Sequence, residues 1–143
     1  MISSNVVTYS PEETIALGQR MAGMLKAGSV LAMQGGLGSG KTCLAKGIAL
    51  GLGITETLTS PTYTIISEYP STPPLYHIDA YRLNNFEDFE QIGGSELICG
   101  GGISIIEWSG RIEESLPENT ITINIEITGP LSRLIKIKGM EVA

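Results

Sequence analysis

An α/β fold is predicted for this sequence: a mixed β-sheet with a parallel core, flanking helices and a C-terminal antiparallel pair. Three observations predict it. Val30-Leu31-Ala32-Met33 is a short unbroken apolar run that leads into a glycine cluster, the pattern of a strand buried on both faces of a parallel sheet. A helix-forming segment with apolar residues at Leu44 and Ile48 follows that cluster. Ile121, Ile123, Ile125 and Ile127 then alternate strictly with polar residues, as do Ile135 and Ile137 with Lys136 and Lys138, which is the period of half-buried strands.

Taken in chain order, Ser10-Pro11-Glu12-Glu13 reads as a capping box with proline at the first helical position. Leu17, Met21, Met24 and Leu25 follow at helical spacing, so a helix is expected from Pro11 to Lys26. Gly28 stops it, and the strand Val30–Met33 comes next. Beyond the glycine loop a helix is expected from Lys41 to Leu50, closed by Gly51 and Gly53. Thr64–Tyr69 reads as a strand that ends before Pro70. Leu75–Ile78 and Ile103–Ile106 are two more strands, each followed by an acid, Asp79 and Glu107. The two isoleucine-rich strands at the end turn at Gly129-Pro130, and residues 1–143 are expected to form one domain.

Composition narrows the function. Fifteen acidic against nine basic residues give a net charge of -6, the wrong sign for gripping a nucleic-acid backbone through a broad basic face. The stretch from Leu83 to Gly110 holds acids and no base, so any nucleic acid is expected to be met through a partner. No signal-like segment and no run near the ~20 apolar residues of a membrane span is present, so a cytosolic protein without membrane contact is expected. Cys43 and Cys99 stand far apart and outside any C-x-x-C spacing, as for reduced thiols.

The 18 glycines are close to twice the usual share of ~7%, and they cluster. Gly35-Gly36-Leu37-Gly38-Ser39-Gly40-Lys41-Thr42 satisfies G-x-x-x-x-G-K-S/T in full, between an expected strand and an expected helix. This is a P-loop, and the fold expected is that of a single-domain P-loop NTPase. Glycine permits the dihedrals that wrap successive amides around an anion, and the helix behind presents the positive end of its dipole to the same phosphates. Lys41 then reaches the β- and γ-phosphates, and the Thr42 hydroxyl is placed to ligate Mg²⁺. Such a site also needs an acid at a neighbouring strand tip. Asp79 and Glu107 both qualify by position, and the residues alone do not divide the roles between them.

The guanine-reading N-K-x-D is absent, and neither Asp79 nor Asp88 starts a D-x-x-G, so a Ras-like GTPase is disfavoured. A small-molecule kinase needs several cations to clamp the transferring charge, and beyond the P-loop helix only Arg82 and Arg111 precede residue 130. That kinase, and a non-catalytic nucleotide-gated binding module, stand as alternatives to an ATPase. His77, alone inside an apolar strand, reads as a hydrogen-bonded core histidine without a catalytic part.

The P-loop, then Ser60-Pro61-Thr62-Tyr63-Thr64, then His77-Ile78-Asp79-Ala80-Tyr81-Arg82-Leu83, then Ile106-Glu107-Trp108, in this order and spacing, resemble the TsaE family across nearly the entire chain. TsaE proteins are bacterial ATPases required for threonylcarbamoyladenosine formation in tRNA, and they act with a TsaD and TsaB pair. The resemblance therefore implies ATP and Mg²⁺, TsaD-like and TsaB-like partners, and tRNA met indirectly through that complex. It implies that Gly35, Gly36, Leu37, Gly38, Ser39, Gly40, Lys41, Thr42 and Cys43 hold ATP, with Lys41 on phosphate. Thr42 and Glu107 would ligate Mg²⁺, Asp79 would lie close by as a water-orienting acid, and Thr62 would sit on a switch-like loop near the γ-phosphate. Trp108 would lie beside the nucleotide, and Arg133 with the segment around Thr14 would flank the base. Gly36 stands where the family has Asp, Cys43 where it has a second Thr, and Ser109 where it has Pro; none of these removes a phosphate or metal ligand.

Overall fold

The computed structural model describes residues 2–36, 38–56, 66–108, 110, 112–113 and 116–142. Its strands are β1 (Ser3–Thr8), β2 (Val30–Gln34), β3 (Ile66–Tyr69), β4 (Leu75–Asp79), β5 (Ile103–Glu107), β6 (Ile121–Ile127) and β7 (Arg133–Lys138). Its α-helices are α1 (Pro11–Ala22), α2 (Lys41–Gly51), α3 (Phe86–Gln91) and α4 (Gly94–Ile98), and a 3₁₀ turn spans Ala80–Arg82. The strands form one seven-stranded sheet in the order β1-β7-β6-β2-β5-β4-β3.

The expected mixed sheet is present. β6, β2, β5 and β4 run parallel, β3 adds antiparallel on one edge, and β7 and β1 add antiparallel on the other. β2 and β5 are buried along their length, Gln34 excepted, because helices cover both faces of the central strands. On one face α1 and α2 pack over Leu31, Met33, Ile105, Ile123 and Ile135. On the other, a smaller cluster joins Phe89 and Ile98 to Val30, Ile78 and Ile106. The alternation in β6 and β7 places Ile123, Ile125, Ile135 and Ile137 in the first of these cores and Asn124, Lys136 and Lys138 in water.

Two expectations change. The first helix stops at Ala22, short of Lys26, because the chain turns at Gly23 and the Met24 and Leu25 amides bond back to Met21 and Ala22. Strand β1 is not legible in the sequence: Ser3, Asn5 and Val7 are exposed, and only the register with β7 draws the segment into the sheet. The capping box forms in half, since the Glu13 side chain reaches the amide one residue before the Ser10 N-cap. Ser10 Oγ accepts from the Glu13 amide at 3.1 Å, and the Glu13 carboxylate accepts from the Tyr9 amide at 3.1 Å.

Helices α1 and α2 meet through glycines. A Cβ on Gly47 would lie 2.1 Å from the Ile15 carbonyl oxygen, and one on Gly18 would lie 2.5 Å from that of Leu44. Both obstacles are backbone, so neither can step aside. Gly47→Ala is expected to destabilise the fold by about 1 to 3 kcal/mol through overpacking, despite alanine's better helix propensity. A urea-unfolding midpoint no lower than the parent's would refute this.

Candidate functional site

The site lies at the carboxyl ends of β2, β4 and β5, the edge where ligands sit in open parallel sheets. β2 runs out into the glycine loop, and α2 begins at Lys41. Gly38 and Gly40 have φ of 73° and 108°, conformations that glycine adopts without steric cost. A Cβ on Gly35 would meet the Ile125 carbonyl oxygen at 2.9 Å and Ser39 Oγ at 2.6 Å. Gly40 occupies the N-cap of α2, so no side chain caps that helix. Its first amides therefore lack the oxygen that a capping side chain supplies, which suits them to an anion. Ser39 Oγ is buried and has no hydrogen-bond partner among the described residues, a second donor left over inside the loop.

Lys41, the first residue of α2, is 6% exposed. Its ammonium donates to the Gly35 carbonyl at 2.6 Å and the Gly36 carbonyl at 3.2 Å, and lies 3.8 Å from the centre of the Trp108 ring. Burial pushes its pKa below the ordinary lysine value, while the nearby carboxylates of Glu107 and then Asp79 oppose that shift. Those two acids are direct register partners at the ends of β4 and β5. Glu107 is buried and its Oε2 is bonded to His77 Nε2. Asp79 caps the 3₁₀ turn, its Oδ1 accepting from the Tyr81 amide at 3.0 Å.

Trp108 follows β5 with a φ of 62°, a left-handed conformation that costs a bulky residue about 1 to 3 kcal/mol. Its amide is held by the Met33 carbonyl at 3.0 Å, and its ring packs against Tyr81 with centroids 5.1 Å apart. These groups enclose a cavity of about 940 Å³ whose wall includes Gly38, Lys41, Thr42, Asp79, Glu107 and Trp108. A loop of amides, the Lys41 ammonium, the Thr42 hydroxyl and the carboxylates of Asp79 and Glu107 thus line the same space. The hydroxyl and carboxylates are hard oxygen donors of the kind Mg²⁺ takes, so the residues present fit that ion.

A family model described as "Threonylcarbamoyl adenosine biosynthesis protein TsaE" matches residues 8–135. The chain belongs to the TsaE family. It is 44% identical over 131 residues to the tRNA threonylcarbamoyladenosine biosynthesis protein TsaE of Treponema pallidum, covering 92% of this chain and 97% of that protein. It is also 44% identical to the Bacillus subtilis protein of the same name, over 90% of this chain and 80% of that one. The crystal structure of Bacillus subtilis YdiB superposes with a TM-score of 0.79 at 38% identity, covering 95% of this chain and 84% of that one.

In this TsaE chain the structure brings together Lys41, Thr42, Cys43, Asp79, Glu107 and Trp108, which the sequence nominated, along the cavity wall with Gly38, Ser39 and Gly40. Leu37, Thr62 and Ser109 lie outside the described residues, as does the Arg82 side chain. Arg133 touches the loop from another side: its Nε donates to Ser39 O at 2.8 Å and Nη2 to Gly38 O at 3.1 Å, while Nη1 donates to Gly129 O and Ser132 O. It ties the β6–β7 turn to the glycine loop. Thr14 is buried, its hydroxyl 2.8 Å from that of Thr8, and neither it nor Arg133 is among the residues lining the cavity.

Sequence reasoning missed Tyr81 as a wall residue, and it missed the bond between His77 and Glu107. The available signal for Tyr81 was an aromatic residue just beyond the strand-end acid in both β4 and β5. Nothing in the spacing announced the His77 contact, which depends on β4 and β5 being neighbours.

Proposed function

We propose that this protein is a Mg²⁺-dependent ATP hydrolase that serves threonylcarbamoyladenosine formation in tRNA, acting with TsaD-like and TsaB-like partners. One observation carries the reading: the glycine loop, Lys41, Thr42 and the paired carboxylates Asp79 and Glu107 line a single cavity. The names of the TsaE relatives carry the pathway. The amides between Gly35 and Thr42 receive the phosphates, and Lys41 exchanges its Gly35 and Gly36 carbonyls for β- and γ-phosphate oxygens. Thr42 and Glu107 would hold Mg²⁺, which when bound would supply positive charge against the phosphate oxygens. Asp79 orients the attacking water, whose oxygen bonds to the γ-phosphorus as the bond to ADP breaks. Trp108 walls the nucleotide on the Lys41 side.

Lys41 is the one cation among the described residues lining the cavity. An arginine finger is worth about 10³ to 10⁵ in rate, so turnover by the isolated chain is slow and the partners complete the site. The net charge of -6 leaves tRNA to be held by those partners. No helix among the described residues is long and apolar enough to cross a membrane, and the reading needs none. Phosphate release measured alone and with purified TsaD-like and TsaB-like proteins tests it. Stimulation is expected, and an unchanged rate with every partner combination would overturn it.

A further inference from the structure

We infer that His77 is a positioning residue for Glu107, holding one carboxylate oxygen so that the other faces the cation. The inference rests on reading Glu107 as a Mg²⁺ ligand.

His77 is fully buried within β4, two residues before Asp79, and shares the sheet face of that acid. In the parallel pairing of β4 and β5, Asp79 lies opposite Glu107 and His77 opposite Ile105. The imidazole therefore sits one pleat deeper than the two carboxylates, and the Glu107 side chain bends back so that Oε2 meets His77 Nε2. A carboxylate only accepts, so the hydrogen belongs on Nε2. The other ring nitrogen, Nδ1, is buried and has no partner among the described residues. A hydrogen on Nδ1 would strand a buried donor, so the geometry favours the tautomer that donates through Nε2.

Packing does not account for this residue. An imidazole with one nitrogen unmatched in an apolar core is less stable there than an aliphatic side chain that fills the space. Among the described residues, its side-chain hydrogen bond goes to the carboxylate at the edge of the cavity. That bond selects one rotamer of a side chain with three torsions and commits Oε2. Outer partners of this kind orient metal-binding side chains, and their loss costs about 10- to 100-fold in metal affinity.

The glutamine and asparagine isosteres separate positioning from filling. The side-chain nitrogen of glutamine falls near the place of Nε2, and that of asparagine near Nδ1. Calorimetric titration of the full chain with a non-hydrolysable ATP analogue, at a series of Mg²⁺ concentrations, gives the Mg²⁺ half-saturation and the Mg²⁺-free affinity separately. His77→Asn and His77→Leu are expected to raise the half-saturation about 10- to 100-fold, while His77→Gln stays within about threefold of the parent. Mg²⁺-free affinity should change by no more than about twofold in all three, since the phosphate cradle is untouched. Should His77→Leu fail to fold, the asparagine and glutamine variants still decide.

Glu107→Gln, measured in parallel, separates the two ways of failing. If it leaves the half-saturation unchanged, Glu107 is not a cation ligand and the inference falls with that reading. If it raises the half-saturation while His77→Asn matches the parent, the positioning role alone is overturned. Equal losses in the asparagine and glutamine variants would also overturn it, because bulk rather than a placed donor would then be what matters.

Discussion

Lys41→Met is expected to lower ATP hydrolysis by about 10³-fold or more, roughly 4 kcal/mol of transition-state stabilisation, while the chain stays folded. The ammonium is the one positive charge that the described cavity wall presents, and it already stands at the mouth of the glycine loop. Methionine keeps the length and apolar bulk of the stem against Trp108 and deletes the ammonium, its charge and its hydrogen bonds together.

The effect on stability has a definite sign. Burial holds the Lys41 pKa below its ordinary value, so the folded state binds this proton less tightly than the unfolded chain does. The resulting cost is complete at pH values below the folded pKa and fades as pH rises through the unfolded one. Methionine removes that cost and also removes the hydrogen bonds to Gly35 and Gly36. The two changes oppose, so at neutral pH the unfolding free energy should move by no more than about 1 kcal/mol. Phosphate release and denaturant unfolding, measured on one preparation, check both halves. Hydrolysis near the parent rate would defeat the assignment of Lys41 to phosphate.

The second large effect separates the two acids. Asp79→Asn is expected to reduce hydrolysis by about 10²- to 10³-fold while analogue binding in Mg²⁺ stays within about threefold of the parent. Asparagine keeps the side-chain oxygen that accepts from the Tyr81 amide, so the 3₁₀ turn and the Tyr81–Trp108 contact survive. Glu107→Gln should instead weaken the Mg²⁺-dependent part of binding, because it removes a buried charge from the cavity wall that Thr42 also lines. Single-turnover rates together with equilibrium binding distinguish the two. The reverse pattern, with Asp79→Asn losing Mg²⁺ dependence and Glu107→Gln losing only rate, would exchange their roles.

Much of this site is legible in the sequence, because local rules govern it. The glycine loop announces itself in eight consecutive residues, since the dihedrals that cradle an anion are a property of the segment itself. The strand-end acids follow from apolar runs of strand length that stop at a carboxylate. The alternation of β6 and β7 marks a half-wet pair for the same reason, as side chains on a pleat take opposite faces. Strand β1 carries no such pattern, for its order comes from hydrogen bonds to β7 at the far end of the chain.

By itself, then, the sequence determined the P-loop, the strands and helices around it and the candidate ligands, all of which depend on residues close together in the chain. Only the tertiary structure decided that Asp79 lies opposite Glu107, that His77 reaches Glu107 across 30 positions, and that Arg133 holds the carbonyls of Gly38 and Ser39 across more than 90. Those pairings depend on the order in which strands join the sheet, and strand order is set by burying the faces of many elements at once, a cooperative quantity that no short window of sequence contains.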